Sequence, residues 1–151
     1  QAMDLCEIVL GAVDACRPAI DARLQTLALT IPEHALMMHG DRVRLSQVVR
    51  NLLDNASKYT AEHGRLTLDL QQVANQALLV VSDTGIGISA QALPLVFEPF
   101  VQDMHAIGFD SAGMGIGLTV VREIVTAHGG MVVASSAGVD GGSTFRVSLP
   151  L

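Results

Sequence analysis

Along Arg44–Tyr59 the apolar residues Leu45, Val48, Val49, Leu52, Leu53 and Ala56 recur at i, i+3, i+4, i+7, i+8 and i+11. That spacing predicts an amphipathic helix with one core-facing stripe. Asp41 stands before it as a candidate N-cap. Asn51, Asn55 and Lys58 follow their own i, i+4, i+7 series. At ~100° per residue they share one edge of the stripe, at the border between core and solvent. A second helix is predicted from Asp4 to about Ala22, capped by Asp4 and kinked or interrupted near its end by Pro18. A third opens at Gly113–Gly117, carries Leu118, Val121, Ile124, Val125 and His128 on one side, and ends at His128-Gly129-Gly130.

Between the helices the period changes to two. Gln25–Ile31 alternates Leu27, Leu29 and Ile31 and is stopped by Pro32, and Ala35–Met38 reads as a second short strand. Arg65–Val73 alternates Leu66, Leu68 and Leu70, Ala74-Asn75 reads as a turn, and Ala77–Val81 is a continuous apolar run. The pair predicts an antiparallel hairpin whose second strand is buried on both faces. Met131–Ser135 and Ser143–Leu149 predict a closing hairpin around a Gly/Asp turn at Gly138–Gly142. Ser89 is a candidate cap for a short helix or two turns broken by Pro94 and Pro99, with Phe97 and Phe100 as core anchors. Val101–Gly113 has no periodicity and the length of a lid or a disordered loop.

Composition narrows the class. The chain has 151 residues, half of them hydrophobic and 16% charged, enough for one well-filled domain and hardly enough for two. With four Phe, one Tyr and no Trp, the core must be aliphatic and a nucleic-acid stacking platform is not expected. A net charge of −6 and an isoelectric point near 5.1 argue against nucleic-acid or anionic-membrane partners. Cys6 and Cys16 are expected as buried free thiols rather than a disulfide or metal site. The five His are scattered without ligand spacing. No stretch reaches the ~18 apolar residues of a membrane span, and no signal peptide is evident. The expectation is a cytoplasmic domain spanning residues 1–151 without direct membrane insertion. It looks like a piece of a longer parent, which could itself be anchored in an inner membrane, because it begins inside a helical pattern and stops after a strand.

Three stretches carry candidate chemistry. On the first predicted helix, an Asn can coordinate a hard cation through its carbonyl oxygen and Lys58 can meet a phosphate as a point charge. Tyr59 can lay its ring against a flat ligand. On this stretch alone, solvated or back-bonded amides fit the Asn positions better. In Val80–Ile88, VVSDTGIGI, a strand ends at Asp83, which can accept from a buried amino group, and Gly85 and Gly87 let a ligand approach the backbone. A simple turn after a strand fits the same residues. Gly113–Gly117, GMGIG, running into a helix offers free N–H groups and the positive dipole end to an anion. It lacks the preceding strand and the later acidic residue that a dinucleotide fingerprint requires.

Taken together the order is specific: NLLDNASKYT (51–60), DTGIGI (83–88), FEPF (97–100), GMGIGL (113–118) and a closing GGSTFRVSLPL. This resembles the catalytic ATP-binding domain of bacterial sensor histidine kinases, within the GHKL or Bergerat-fold ATPases, whose N, G1, F and G2 boxes occur in that order. The resemblance covers essentially the whole chain. It implies an α+β fold: a two-layer α/β sandwich with a mixed, mostly antiparallel sheet, about three helices on one face, and an ATP lid. It implies ATP and Mg²⁺ as ligands. By the same resemblance Asn55 matches the Mg²⁺-binding Asn, Asn51 and Lys58 lie near the phosphates, and these three are the implied catalytic set. Tyr59 flanks the adenine, and Asp83 accepts the adenine amino group. Gly85, Gly87 and Ile88 lie in the loop beside the base. Phe97 and Phe100 anchor the lid, and Gly113, Gly115, Gly117 and Leu118 form the turn at the phosphates. Thr144 supports the adenine site through water.

The resemblance also implies partners: a dimerisation domain of the same protein bearing the phosphoacceptor His, and a response-regulator receiver domain downstream in a phosphorelay. Gyrase-type relatives place a Glu where Asn51 stands, and Asn is no useful base at neutral pH. A site with Asn51 suits delivery of a γ-phosphate to another nucleophile better than hydrolysis. None of the five His lies in an upstream helix hairpin, so the chain is expected to lack its own acceptor. From Phe97 through Val121 there is no Lys or Arg, and Asp103 and Asp110 are acidic. Two alternatives follow: a nucleotide-binding regulatory module with weak or no transfer, and a Ser kinase of the anti-sigma-factor type.

Overall fold

In a computed structural model of the chain, residues 1–98 and 114–151 are described. Phe100 and Gly113 therefore lie outside the described residues. Strand β1 (Ala2–Asp4) leads into helix α1 (Leu5–Ala22), followed by β2 (Thr26–Thr30), β3 (Met37–His39) and helix α2 (Arg42–Lys58). The hairpin β4 (Arg65–Val73) and β5 (Gln76–Asp83) comes next, then a 3₁₀ turn at Leu93–Leu95. Helix α3 (Met114–Ala127) and the hairpin β6 (Met131–Ser135) and β7 (Ser143–Pro150) close the chain.

The main sheet runs β2-β4-β5-β7-β6, with β2 parallel to β4 and every other pair antiparallel. Its inward residues are the predicted alternating set: Leu66, Leu68 and Leu70 on β4, Ala77, Leu79 and Val81 on β5, Phe145, Val147 and Leu149 on β7. The three helices cover that face with their apolar stripes, α2 touching both α1 and α3. This is the expected two-layer sandwich, and the core is almost wholly aliphatic.

Helix α1 ends at Ala22 as the spacing predicts and is not interrupted at Pro18; two other expectations need correction. Pro18 is exposed, so the carbonyl it leaves unpaired faces water, while buried Ile20 holds the last turn on the core. The chain begins with a strand rather than inside a helix: β1 pairs antiparallel with β3, Ala2 opposite His39. Three residues are too few for a period to show. Strand β5 is not buried on both faces, because Leu78 and Val80 point away from the helices and are half-exposed. A single helical layer leaves that side open.

The caps carry the helices as their chemistry requires. Asp4 Oδ1 accepts from Cys6 N and Leu36 N, both at 3.0 Å, tying α1 to the chain before β3. Asp41 Oδ1 accepts from Val43 N and Arg44 N at the start of α2. At the end of α3, Gly129 takes φ 77° and Gly130 N bonds back to Val125 O at 2.9 Å. His128 accepts at Nε2 from Asp41 N and so donates from Nδ1 to Ile124 O, pinning the end of α3 to the start of α2.

Candidate functional site

Helix α2 carries the first half of the site. Its stripe, Leu45 through Ala56, is buried to 2% exposure or less, which turns Asn51, Asn55 and Lys58 onto the half-buried shoulder. Asn51 Nδ2 donates to Gly117 O at 3.2 Å. That bond joins the helix shoulder to the first turn of α3, where Gly115 and Gly117 sit and where Leu118 is buried. Two stretches far apart in sequence thus meet through one carboxamide. The backbone donors of the first turn of α3 lie next to a shoulder bearing an ammonium and two amides, which is a donor set for a polyanion. Asn55 offers a hard carbonyl oxygen on the same edge.

The C-terminal end of α2 is held from outside the helix. Gln25, 5% exposed just before β2, donates from Nε2 to Ser57 O (3.0 Å), Thr60 O (2.8 Å) and Ala61 O (3.4 Å). Ser57 Oγ donates back to Gln25 Oε1 at 2.6 Å, and Arg23 Nη1 reaches Ser57 O at 2.8 Å. Gln25 and Arg23 together thus supply donors to carbonyls at and beyond the helix end. Tyr59, buried, follows as the C-cap, and its carbonyl accepts from Ile86 N at 3.0 Å. Position 85 must be glycine here, because a Cβ would overlap the Tyr59 carbonyl oxygen.

Asp83 ends β5 on the inward side, in line with Leu79 and Val81. Its Oδ2 accepts from Ser143 Oγ at 2.7 Å and its Oδ1 from Gly85 N at 2.9 Å. Burial pushes its carboxyl above the usual range, and these hydrogen bonds pull partly back. Thr144, the residue expected to support the base, lies on the other face of the sheet, its hydroxyl 3.1 Å from Ser82 Oγ. The hydroxyl on Asp83 belongs to Ser143. Strand alternation is the reason: with Phe145, Val147 and Leu149 inward, Ser143 shares their side and Thr144 does not. That parity was readable from the sequence.

The loop after Asp83 is stitched to the β6–β7 loop. Asp140 N donates to Ile86 O (2.6 Å), Gly142 N to Gly85 O (3.2 Å) and Ile88 N to Ser136 Oγ (3.0 Å). Ser136 Oγ in turn donates to Gly142 O at 2.6 Å. Gly87 has φ 74°, and a Cβ there would overlap the Gly138 carbonyl oxygen. Ser136 and Gln25 left no signal as site-building residues in the motif pattern, because each acts through a contact distant in sequence. An open notch of about 280 Å³ reaches Asp83 from this loop, lined by Ser135, Ser136, Ser143, Thr144 and the loop glycines. No α2 residue lines it, so it lies apart from the α2 shoulder.

Phe97 packs edge-on against Phe145, ring centres 6.1 Å apart at 82°. Its carbonyl accepts from Thr119 Oγ1 at 2.8 Å, and Glu98 pairs with Arg122 at 3.5 Å. The segment that follows Glu98 therefore departs from a point fastened to α3. Among the described residues no cluster of three or more His, Cys, Asp or Glu could hold a metal. The donors present suit a cation that keeps most of its shell from water and ligand oxygens, as Mg²⁺ does.

A helix shoulder of amides, a glycine-opened helix and an acid at an inner strand end make up the candidate site. The family model of histidine kinase-, DNA gyrase B- and HSP90-like ATPases matches residues 40–151, and the chain belongs to that family. Among curated relatives it is 31% identical over 148 residues to the alginate biosynthesis sensor protein KinB of Pseudomonas aeruginosa, covering 98% of this chain and 24% of that protein. It is 32% identical over 124 residues to the sensor protein KdpD of Clostridium acetobutylicum, covering 82% of this chain and 14% of that protein. The chain thus spans a quarter or less of these two relatives. The mycobacterial sensor histidine kinase MprB superposes with a TM-score of 0.85 at 29% identity, over 99% of this chain and 97% of that one. The fold is that of the catalytic domain of sensor histidine kinases. No helix among the described residues is long and apolar enough to cross a membrane.

Proposed function

We propose that residues 1–151 are one catalytic domain that binds ATP with Mg²⁺ and presents the γ-phosphate to a His on a separate dimerisation domain, for relay to a response-regulator receiver. The observation that carries this is the Asn51–Gly117 bond, which brings the amide-and-ammonium shoulder of α2 onto the glycine-opened start of α3. The phosphates belong there, and Asp83 at the inner end of β5 takes the purine amino group. In this reading Asn55 supplies an oxygen to Mg²⁺, Lys58 meets the phosphates, Tyr59 and Ile88 border the base, and Gly85 and Gly87 admit it. Bound Mg²⁺ supplies charge neutralisation on the phosphate oxygens.

The chain's own contribution is positional. Asn51 occupies a place where a carboxylate would activate water, and its amide is instead engaged by Gly117 O. Asn51 itself offers water no base, which suits keeping the γ-phosphate for an external nucleophile. Phosphotransfer from radiolabelled ATP to a protein carrying this domain and its dimerisation helices tests the reading. An acid-labile, base-stable phosphoprotein supports it. ATP binding without such a product favours the regulatory module, to which the absence of Lys and Arg between Phe97 and Val121 points. An acid-stable product indicates a Ser kinase.

A further inference from the structure

Thr60 is 3% exposed, and its Oγ1 is a buried side-chain polar atom with no hydrogen-bond partner. A buried hydroxyl left unpaired costs about 1–3 kcal/mol, so such groups are rare unless something else uses them. Its position is not incidental. Thr60 Oγ1 and Asp83 Oδ1 each lie 2.9 Å from the point where a Cβ on Gly85 would sit, so both oxygens border the same small space. The rotamer is also held. The Thr60 methyl packs so closely on Gly64 that a Cβ there would overlap it, and the Thr60 carbonyl is gripped by Gln25 Nε2 at 2.8 Å. The hydroxyl is therefore fixed beside the carboxylate, with its own donor unspent.

We propose that Thr60 is a specificity-determining residue of the purine site, its hydroxyl joining Asp83 in reading the amino-bearing edge of the base through a shared water. The inference rests on the adenine-nucleotide reading above and adds a second polar contact to it. A hydroxyl next to a carboxylate can donate to a water that the carboxylate also holds, and that water can donate onward to a purine ring nitrogen. The residue comes at the end of α2, and its placement depends on Gln25, which lies upstream of the 40–151 family match.

The test is the shape-conserving Thr60→Val, measured by adenosine diphosphate binding with Mg²⁺ and by thermal unfolding of the free protein. Replacing an unpaired buried hydroxyl by a methyl leaves the free protein as stable or more stable. The dissociation constant is expected to rise about three- to ten-fold, one hydrogen bond's worth. Purine riboside, which lacks the amino group but keeps the ring nitrogen, is expected to lose as much as adenosine does. Thr60→Ser, which keeps the hydroxyl and drops the methyl, should bind close to wild type despite a lower melting temperature, and Thr60→Ala should not. Wild-type affinity in Thr60→Val overturns the proposal, as does equal weakening of the Ser and Ala variants. If the wild-type protein itself binds no adenosine diphosphate, it is the ATP reading that fails.

Discussion

Ser143 Oγ donates to Asp83 Oδ2 at 2.7 Å across the β5–β7 pair, where the two residues stand directly opposite each other. With Gly85 N on Oδ1, the serine on Oδ2 fixes the plane of the carboxylate. Ser143→Ala is expected to weaken adenosine binding several-fold, while Thr144→Ala, whose hydroxyl faces Ser82 on the far side of the sheet, changes it little. Calorimetric titration of both variants decides. A larger loss in Thr144→Ala would mean that the strand register has been misread.

The same carboxyl sets a pH dependence. Burial raises its pKa from the ordinary value, so between the unfolded value of about 4 and the raised folded value the native state holds more proton than the unfolded one. Stability from this group therefore falls as pH rises through that window and is level above it. Binding runs the other way, since only the carboxylate accepts from an amino group. Adenosine affinity should decline on acidification at a pH above that of an ordinary Asp. Asp83→Asn should bind about ten- to a hundred-fold more weakly at neutral pH, lose preference for adenine over guanine nucleotides, and show no such titration. A wild-type profile flat down to the ordinary carboxylate range contradicts the burial of this group.

Asn55 is expected to matter only through the metal. Asn55→Ala should abolish the Mg²⁺-dependent part of ATP affinity and leave adenosine binding nearly unchanged, as measured by titration with and without a chelator. Equal loss for both ligands would make Asn55 a structural residue of the α2 shoulder.

Gln25 ties three carbonyls at the end of α2 and receives the Ser57 hydroxyl. Gln25→Leu fills much the same volume and takes the donor from the Thr60 carbonyl and the acceptor from the Ser57 hydroxyl, while Arg23 and Gly64 N still serve the other two carbonyls, for an expected loss of about 2–3 kcal/mol in denaturant unfolding. Because the Thr60 carbonyl loses its donor, nucleotide affinity should fall in the folded variant as well. A change under about 0.5 kcal/mol, the range of ordinary surface substitutions, would show that water replaces the amide at little cost.

The chain's own pattern was enough to locate all three helices, the five strands of the main sheet and the motif residues on them, because each rests on a period of 3.6 or 2 carried by nearby residues. Asp4 and Asp41 were legible as caps for the same reason: a cap bonds within three positions of itself. What lay beyond the sequence depends on partners distant along the chain. The β1–β3 pair, the passage of α1 through Pro18, the clamp of the 136–142 loop on residues 85–88 and the Gln25 cap all follow from which surfaces the assembled core turns toward one another. Asn51 illustrates both halves. Its place on the α2 shoulder is a matter of spacing, but only the packing of α3 beside α2 brings Gly117, 66 residues on, within 3.2 Å of its amide, because hydrogen bonding reaches through space and not along the sequence.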